Sequence, residues 1–437
     1  MNLTLRVPLE SFVKLFREMG VLEYKYFVKH SIQVANIAVE IADRLNLPFE
    51  KDGVYLSSLL HDVGLILKTS IANYELFVDM FGRISDMERI ILTLDKHDHH
   101  SVISWMALSQ IQLCSDCSKS ILYHHTPYQK INEKDSIVAL SNCVKAADII
   151  SLKVLKYTGS DKELDADSID EIISSIQEDQ GIIDEVKKEA VDLLKDFTKH
   201  HLFLEEEPLF HSEKMLSLEE YKKYARVLSV LLDFRSPYTR SHSFAAARVS
   251  ELLTKDILGE ADAALIFTAT LLHDIGKIKT PLNILHKKGR LQANEMIIIM
   301  KRHVVDTYYM LERAGLKLFS LIGAAHHERL DGSGYPIGLK SDQMLFLQKV
   351  VQIIDVFSAL TERRPYREPM EIREALDIIE QDAVNGKLDG FIVQKLKELA
   401  NNLDLREEIS FKHVFEELFK NGVDEVIQMI DLTSNAI

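Results

Sequence analysis

Histidine and aspartate recur in the second half of this chain in an order that chemistry can use. His242, His273, Asp274, His303, His326, His327 and Asp355 follow one another along a mostly helical sequence. Five imidazoles and two carboxylates suit borderline divalent metals such as Fe, Mn, Co, Ni or Zn. Seven donors exceed what one ion takes, and two ions need a group that bridges them. A carboxylate bridges well, and Asp274, beside His273, is the candidate. Two ions about 3.5–4 Å apart clamp a phosphate and lower the pKa of water, which is chemistry for hydrolysing a phosphodiester without a covalent enzyme intermediate.

The first half repeats the order. "LSSLLHDVGLILK" (56–68) echoes "TATLLHDIGKIKT" (268–280). His30 precedes His61 by 31 residues, and His242 precedes His273 by 31. Each half then has an adjacent pair, His124-His125 and His326-His327, and an aspartate in apolar sequence, Asp148 and Asp355. Four matches in one order point to duplication. The counterpart of His303 is less direct, since "KHDHHS" offers His97, His99 and His100. His100 lies 24 residues before its pair, against 23 for His303. His97 is the rival, because "LDKH" resembles "MKRH". The expected set in the first half is therefore His30, His61, Asp62, His100, His124, His125 and Asp148, able to hold metal.

These residues must be carried by helices. "FVKHSIQVANIAVEIADRL" (27–45), "IIDEVKKEAVDLLKDF" (182–197) and "FAAARVSELLTKDIL" (244–258) have apolar residues at helical spacing. No convincing set of alternating strands is present. Polar stretches at 158–168 and 205–217 suggest breaks. The expected division is a first domain over 1–157, a helical connector over 158–215 and a second domain over 216–437.

A net charge of −15 over 437 residues argues against a polymeric nucleic-acid partner, so a polyphosphate ligand must be held by local cations or metals. No apolar run reaches the ~18 residues of a membrane span, and the N-terminus lacks a signal-peptide layout. A cytoplasmic, non-membrane protein is expected. Three cysteines include a "CSDC" stretch, but no second pair completes a zinc site, which leaves reduced thiols.

"HDIGK" with its spaced histidines resembles the HD superfamily of metal-dependent phosphohydrolases. "HHERLDGSGYP" (326–336) followed by "DVFSALTERRPYR" (355–367) resembles its HD-GYP subfamily, bacterial phosphodiesterases of cyclic dinucleotides. The close match covers about residues 235–400. It implies an all-α fold, with two HD-type helical bundles joined by the connector. It implies two divalent transition-metal ions, Fe or Mn first, with Ni, Co or Zn as alternatives. His242, His273, Asp274 and Asp355 would hold one ion; Asp274, His303, His326 and His327 would hold the other. Some family members add a glutamate one turn before the first histidine and bind a third ion; here Tyr238 stands there.

Asp274 and Lys277 are the catalytic candidates. Lys277 is one helical turn after Asp274 and can offer its cation to a phosphate oxygen. Arg364 and Arg367 could grip phosphate or a guanine edge. Gly334 and Tyr335 belong to a bent loop, which Pro336 stiffens, and Tyr335 can meet substrate. The loop is also a candidate surface for protein partners. The implied activity opens a cyclic dinucleotide, cyclic di-GMP first and 3′,3′-cyclic GMP-AMP as the runner-up, to a linear 5′-phosphorylated dinucleotide, with further cleavage to mononucleotides by the same chain also implied. A non-catalytic receptor for the same ligand is the alternative. In the first half, Leu65 replaces the lysine and "HHTPYQK" replaces the GYP loop. That copy reads as a plain HD domain: a scaffold, a hydrolase of a smaller phosphate ester such as a 5′-nucleotidase, or a second cyclic-dinucleotide site.

Overall fold

The computed structural model describes residues 5–66, 99–108, 111, 115–158, 164–196, 199, 207–233, 242–287, 292–362 and 368–408. The described chain is all-α apart from two three-residue strands. The described residues divide into two compact units, one built from residues within 19–213 and the other from 5–18 together with those within 214–408.

The chain opens with strand β1 (Arg6–Pro8) and helix α1 (Leu9–Glu18), and these belong to the second unit. Helix α1 has one apolar face: Leu9, Phe12, Val13, Leu15 and Phe16 are buried, while Lys14 and Arg17 face water. The first unit starts at helix α2 (Lys25–Arg44), which packs on α3 (Lys51–Leu59). It continues with α4 (His99–Leu108), α5 (Ser115–Tyr123) and α6 (Asp135–Thr158), with α6 lying along α2. Helices α7 (Ala166–Glu178) and α8 (Asp184–Lys195) close it. Asp165 caps α7 by accepting from Ser168 N at 2.9 Å, satisfying one of the helix's orphan donors. Ile169, Ile172, Ile176, Val186 and Leu193 share one core with Val34, Ile37, Leu140 and Ile150. The segment expected to be a separate connector is therefore part of the first unit's core.

The second unit resumes at strand β2 (Met215–Ser217) and helix α9 (Leu218–Asp233). Strand β2 pairs antiparallel with β1, Val7 opposite Leu216. Helix α10 (His242–Leu258) packs on α11 (Glu260–Leu271). Then come α12 (His303–Arg313), α13 (Lys317–Gly323), α14 (Phe346–Thr361), α15 (Ile372–Val384) and α16 (Gly390–Asn402). Helix α1 lies on α9 and α12, with the Phe12 ring edge-on to Tyr224 at 5.3 Å. The expected first domain of 1–157 thus loses its first eighteen residues to the second unit. The reason is burial: a helix with two phenylalanines on one face needs an apolar partner, and α9 and α12 supply it.

No helix among the described residues is long and apolar enough to cross a membrane.

Candidate metal centres

In the second unit five separate places supply the ligand-type residues. His242 is the first described residue of α10, His273 and Asp274 follow α11, and His303 follows a π-helical stretch (Ile298–Arg302) inside a run that is helical from 293 to 313. His326 and His327 follow α13, and Asp355 lies inside α14. The two His-containing dipeptides sit just past helix ends, while His303 and Asp355 lie within helical runs.

Asp274 lies in the middle. Its Oδ2 is 3.4 Å from Nε2 of His242 and 3.4 Å from Nε2 of His273. Its Oδ1 is 3.4 Å from Nε2 of His303 and 3.7 Å from Nε2 of His326. Asp355 completes both sides: Oδ1 is 3.7 Å from each of the His242 and His273 Nε2 atoms, and Oδ2 is 3.3 Å from His327 Nδ1. One carboxylate therefore offers one oxygen to each of two histidine pairs, which is the arrangement a bridging ligand needs.

The first unit repeats it. Asp62 Oδ2 is 3.7 Å from His30 Nε2 and 3.5 Å from His61 Nε2. Its Oδ1 is 3.2 Å from His100 Nε2 and 3.6 Å from His124 Nε2. Asp148 Oδ1 is 3.2 Å from His30, and His125 Nε2 is 3.0 Å from His100 Nε2.

The register of the repeat is set by a glycine. Gly64 donates its N–H to Ser104 Oγ at 2.8 Å, and Gly276 donates to Thr307 Oγ1 at 2.9 Å. A Cβ on either glycine would come within 2.1 Å of a backbone carbonyl, that of His100 in one unit and His303 in the other. Only glycine lets the chain pass there. His100 therefore occupies the place of His303; the rival, His97, lies outside the described residues.

The donor set fits divalent metal. Nδ1 of His61, His124 and His326 donates to the carbonyls of Ser58, Ile121 and Gly323 at 2.8, 2.6 and 2.7 Å. A carbonyl only accepts, so the proton sits on Nδ1 and each Nε2 keeps its lone pair for an ion. Nε2 of His30, His61, His124 and His273, and Oδ1 of Asp62 and Asp274, are buried without a hydrogen bond. Buried polar atoms left so cost free energy, and an ion at that point would satisfy them. Burial pushes His303 down to about 3 and His326 to about 4, so both are neutral at physiological pH. Burial opposes the charge on Asp274, but Lys277 and the histidines outweigh it and hold its pKa well below the usual carboxylate range.

Around these clusters the units differ. Lys277 forms an ion pair with Asp274, whereas Leu65 stands at that point in the first unit and is exposed. Tyr335 lies over His327 with ring centroids 4.9 Å apart, and Lys301 Nζ is 5.9 Å from the Tyr335 ring. Gly334 is required by close approach, since a Cβ there would meet Arg329 N at 2.2 Å. Arg364, Arg367 and Tyr238 lie outside the described residues.

Three carboxylates at the site were not singled out in the sequence. Asp233 accepts from Ser243 N and Oγ at 3.2 and 2.7 Å, pinning the start of the helix that His242 opens; burial raises its pKa to about 7. Glu328, buried after the histidine pair, accepts from the N–H groups of Ile337, Gly338 and Leu339 at 2.8, 2.9 and 2.8 Å and so ties down the loop that carries Tyr335. Thr126 stands there in the first unit, a difference that marks the position. Glu362 contacts His242.

An HD-domain family model matches residues 212–392, and a second HD-domain model matches 27–152. The 3′3′-cGAMP-specific phosphodiesterase 1 of Vibrio cholerae is 30% identical over 384 residues, covering 83% of this chain and 85% of that protein. This chain belongs to the HD-GYP family. A cyclic di-GMP phosphodiesterase of Thermotoga maritima is 37% identical to the HD-GYP chain over 166 residues, 37% of this chain and 44% of that protein. The crystal structure of the cyclic GMP-AMP specific phosphodiesterase V-cGAP3 of V. cholerae shares the HD-GYP fold at TM-score 0.57 and 19% identity, over 91% of this chain and 99% of that one.

Proposed function

We propose that the second unit is a two-metal phosphodiesterase that opens a cyclic dinucleotide to a linear 5′-phosphorylated dinucleotide. The observation that carries this reading is Asp274, with one oxygen toward His242 and His273 and the other toward His303 and His326. His242, His273, Asp274 and Asp355 would hold one ion, and Asp274, His303, His326 and His327 the other. Fe or Mn is the first expectation, with Ni, Co or Zn as alternatives. Two such ions supply a nucleophile at neutral pH and Lewis-acid stabilisation of phosphoryl charge. Lys277 adds a cation where negative charge grows on a non-bridging oxygen. Tyr335, held by Glu328 and Gly334, offers a ring for a base. Arg364 and Arg367 supply phosphate or guanine contacts. The preferred substrate is 3′,3′-cyclic GMP-AMP, with cyclic di-GMP next. The relative that matches across both units carries the GMP-AMP name, and shorter matches carry the GMP-AMP or the di-GMP name. The location is cytosolic, and the GYP loop is a surface for protein partners.

The first unit would take a terminal phosphate instead, as a 5′-nucleotidase. A complete ligand cluster around Asp62, without the lysine or the GYP loop, favours that reading over a second ring-opening site. Mn- or Fe-loaded protein is assayed against a panel of cyclic and linear dinucleotides, with products resolved by chromatography and phosphate measured. Ring opening that needs metal, followed by phosphate release that fails in His61→Ala/Asp62→Ala, is expected. No turnover of any cyclic dinucleotide by metal-loaded protein would sink the main reading.

A further inference from the structure

We propose that Glu362 is a positioning residue for the second unit's metals, and that its absence from the first unit makes the two centres unequal in metal affinity. The proposal rests on the two-metal reading above.

Glu362 Oε2 is 2.8 Å from His242 Nδ1, and the carboxylate is largely buried just past the end of α14. A carboxylate at neutral pH only accepts, so His242 Nδ1 carries the proton. His242 Nε2, which faces Asp274 and Asp355, is left with its lone pair. The carboxylate also fixes the ring plane and draws electron density toward Nε2, making it a better donor to a cation. Its own negative charge would add to those of Asp274 and Asp355 beside two divalent cations.

The first unit meets the same need differently. His30 Nδ1 is 2.9 Å from Ser151 Oγ, and Ser151 Oγ donates in turn to Gln33 Oε1 at 2.8 Å. Because the hydroxyl proton goes to Gln33, Ser151 accepts from His30 Nδ1, and Nε2 again keeps its lone pair. The tautomer is the same, but the relay ends on a neutral amide. Glu362 lies seven residues after Asp355; seven residues after Asp148 is Leu155. Three residues after His242 is Ala245, where the first unit has Gln33. The serine itself is kept, as Ser358 three residues after Asp355, so what separates the units is Gln33 in the first and Glu362 in the second. Outer-shell partners of ligating histidines are worth about 10–100-fold in metal affinity when removed.

The test titrates the full-length, metal-stripped chain with Mn²⁺ and reads free Mn²⁺ by electron paramagnetic resonance. An Asp62→Ala background isolates the second centre, and an Asp274→Ala background isolates the first. In the Asp62→Ala background two ions should bind, and Glu362→Ala should weaken one of them about 10–100-fold. Glu362→Gln should fall between, because its amide oxygen still accepts from Nδ1 but brings no charge. Melting of the metal-free variants, matched to their parent, guards against simple misfolding. The first centre should bind at least about tenfold more weakly than the second. Two ions bound with unchanged affinity in Glu362→Ala would overturn the role of Glu362. Equal affinity at the two isolated centres would overturn the inequality. Fewer than two ions in the Asp62→Ala parent would overturn the two-metal reading, and the proposal with it.

Discussion

The two HD units hold nearly the same cluster of histidines and aspartates inside different surroundings. In both, a central aspartate gives one oxygen to each of two histidine pairs, and a glycine two residues later lets the next helix pass. Lys277, Glu328 and Glu362 belong to the second unit alone; Leu65, Thr126 and Leu155 stand at those places in the first, where Gln33 ends the Ser151 relay. The same cluster recurs because both units keep the same helical positions for its residues and the same close approach at the glycine. The groups one layer out have diverged.

The largest contrast should come from the two central aspartates. Asp274→Ala should cut ring opening by roughly 10³-fold or more, the scale of losing a preorganised electrostatic element. Asp62→Ala should leave ring opening within about twofold, as for independent sites, while linear 5′-phosphorylated product accumulates. If Asp62→Ala abolished ring opening in folded protein, the comparison would break, because the units would not be separable.

Next in size is stability. Phe12 is buried on α1 against Tyr224. Phe12→Ala should cost about 3 kcal/mol and do so in the second unit, although residue 12 sits at the chain's start. Hydrogen exchange should show loosened amides in α9 and α12 and unchanged ones in α2 and α6. Loosening confined to α2 and α6 would show that α1 belongs with the first unit.

Gly64→Ala and Gly276→Ala give a matched pair. Each new Cβ meets a helix backbone, at a cost of about 1–3 kcal/mol. Each should reduce metal content in its own unit only, as read by metal analysis of the two single variants. Full metal loading in both would remove the close approach as a requirement of the site.

The smallest effect is expected at the lysine. Lys277→Ala should lower kcat about 10–100-fold with metal content retained, since the cation supplements charge stabilisation that the ions already supply. A change in KM alone would make Lys277 a binding group and narrow the difference between the units.

Much of the site was legible because its chemistry demands particular residue types in a particular order. The seven ligand-type residues of the second half stand out in "HDIGK" and "HHERLDGSGYP", and the structure gathers all seven. The helical character of the chain was legible from apolar spacing. His100 was separated from His97 only by a one-residue difference in spacing; the Gly64–Ser104 hydrogen bond makes the match physical. Glu362 was not legible, because its partner is 120 residues away and a glutamate near a helix end usually faces water. The connector was misjudged for a similar reason: polar stretches mark loops, and a loop can join two helices of one core as readily as two domains.

By itself, the sequence determined the duplication, the ligand types and their order, and the helices that carry them, since each is written in local spacing. Tertiary structure alone decided which oxygen of Asp274 faces which histidines, that Glu362 rather than a serine relay backs the first histidine, and that α1 completes the unit that starts again at Met215. Those are contacts between residues far apart in the chain. Their energies come from burial and hydrogen bonding that exist only once the helices have packed.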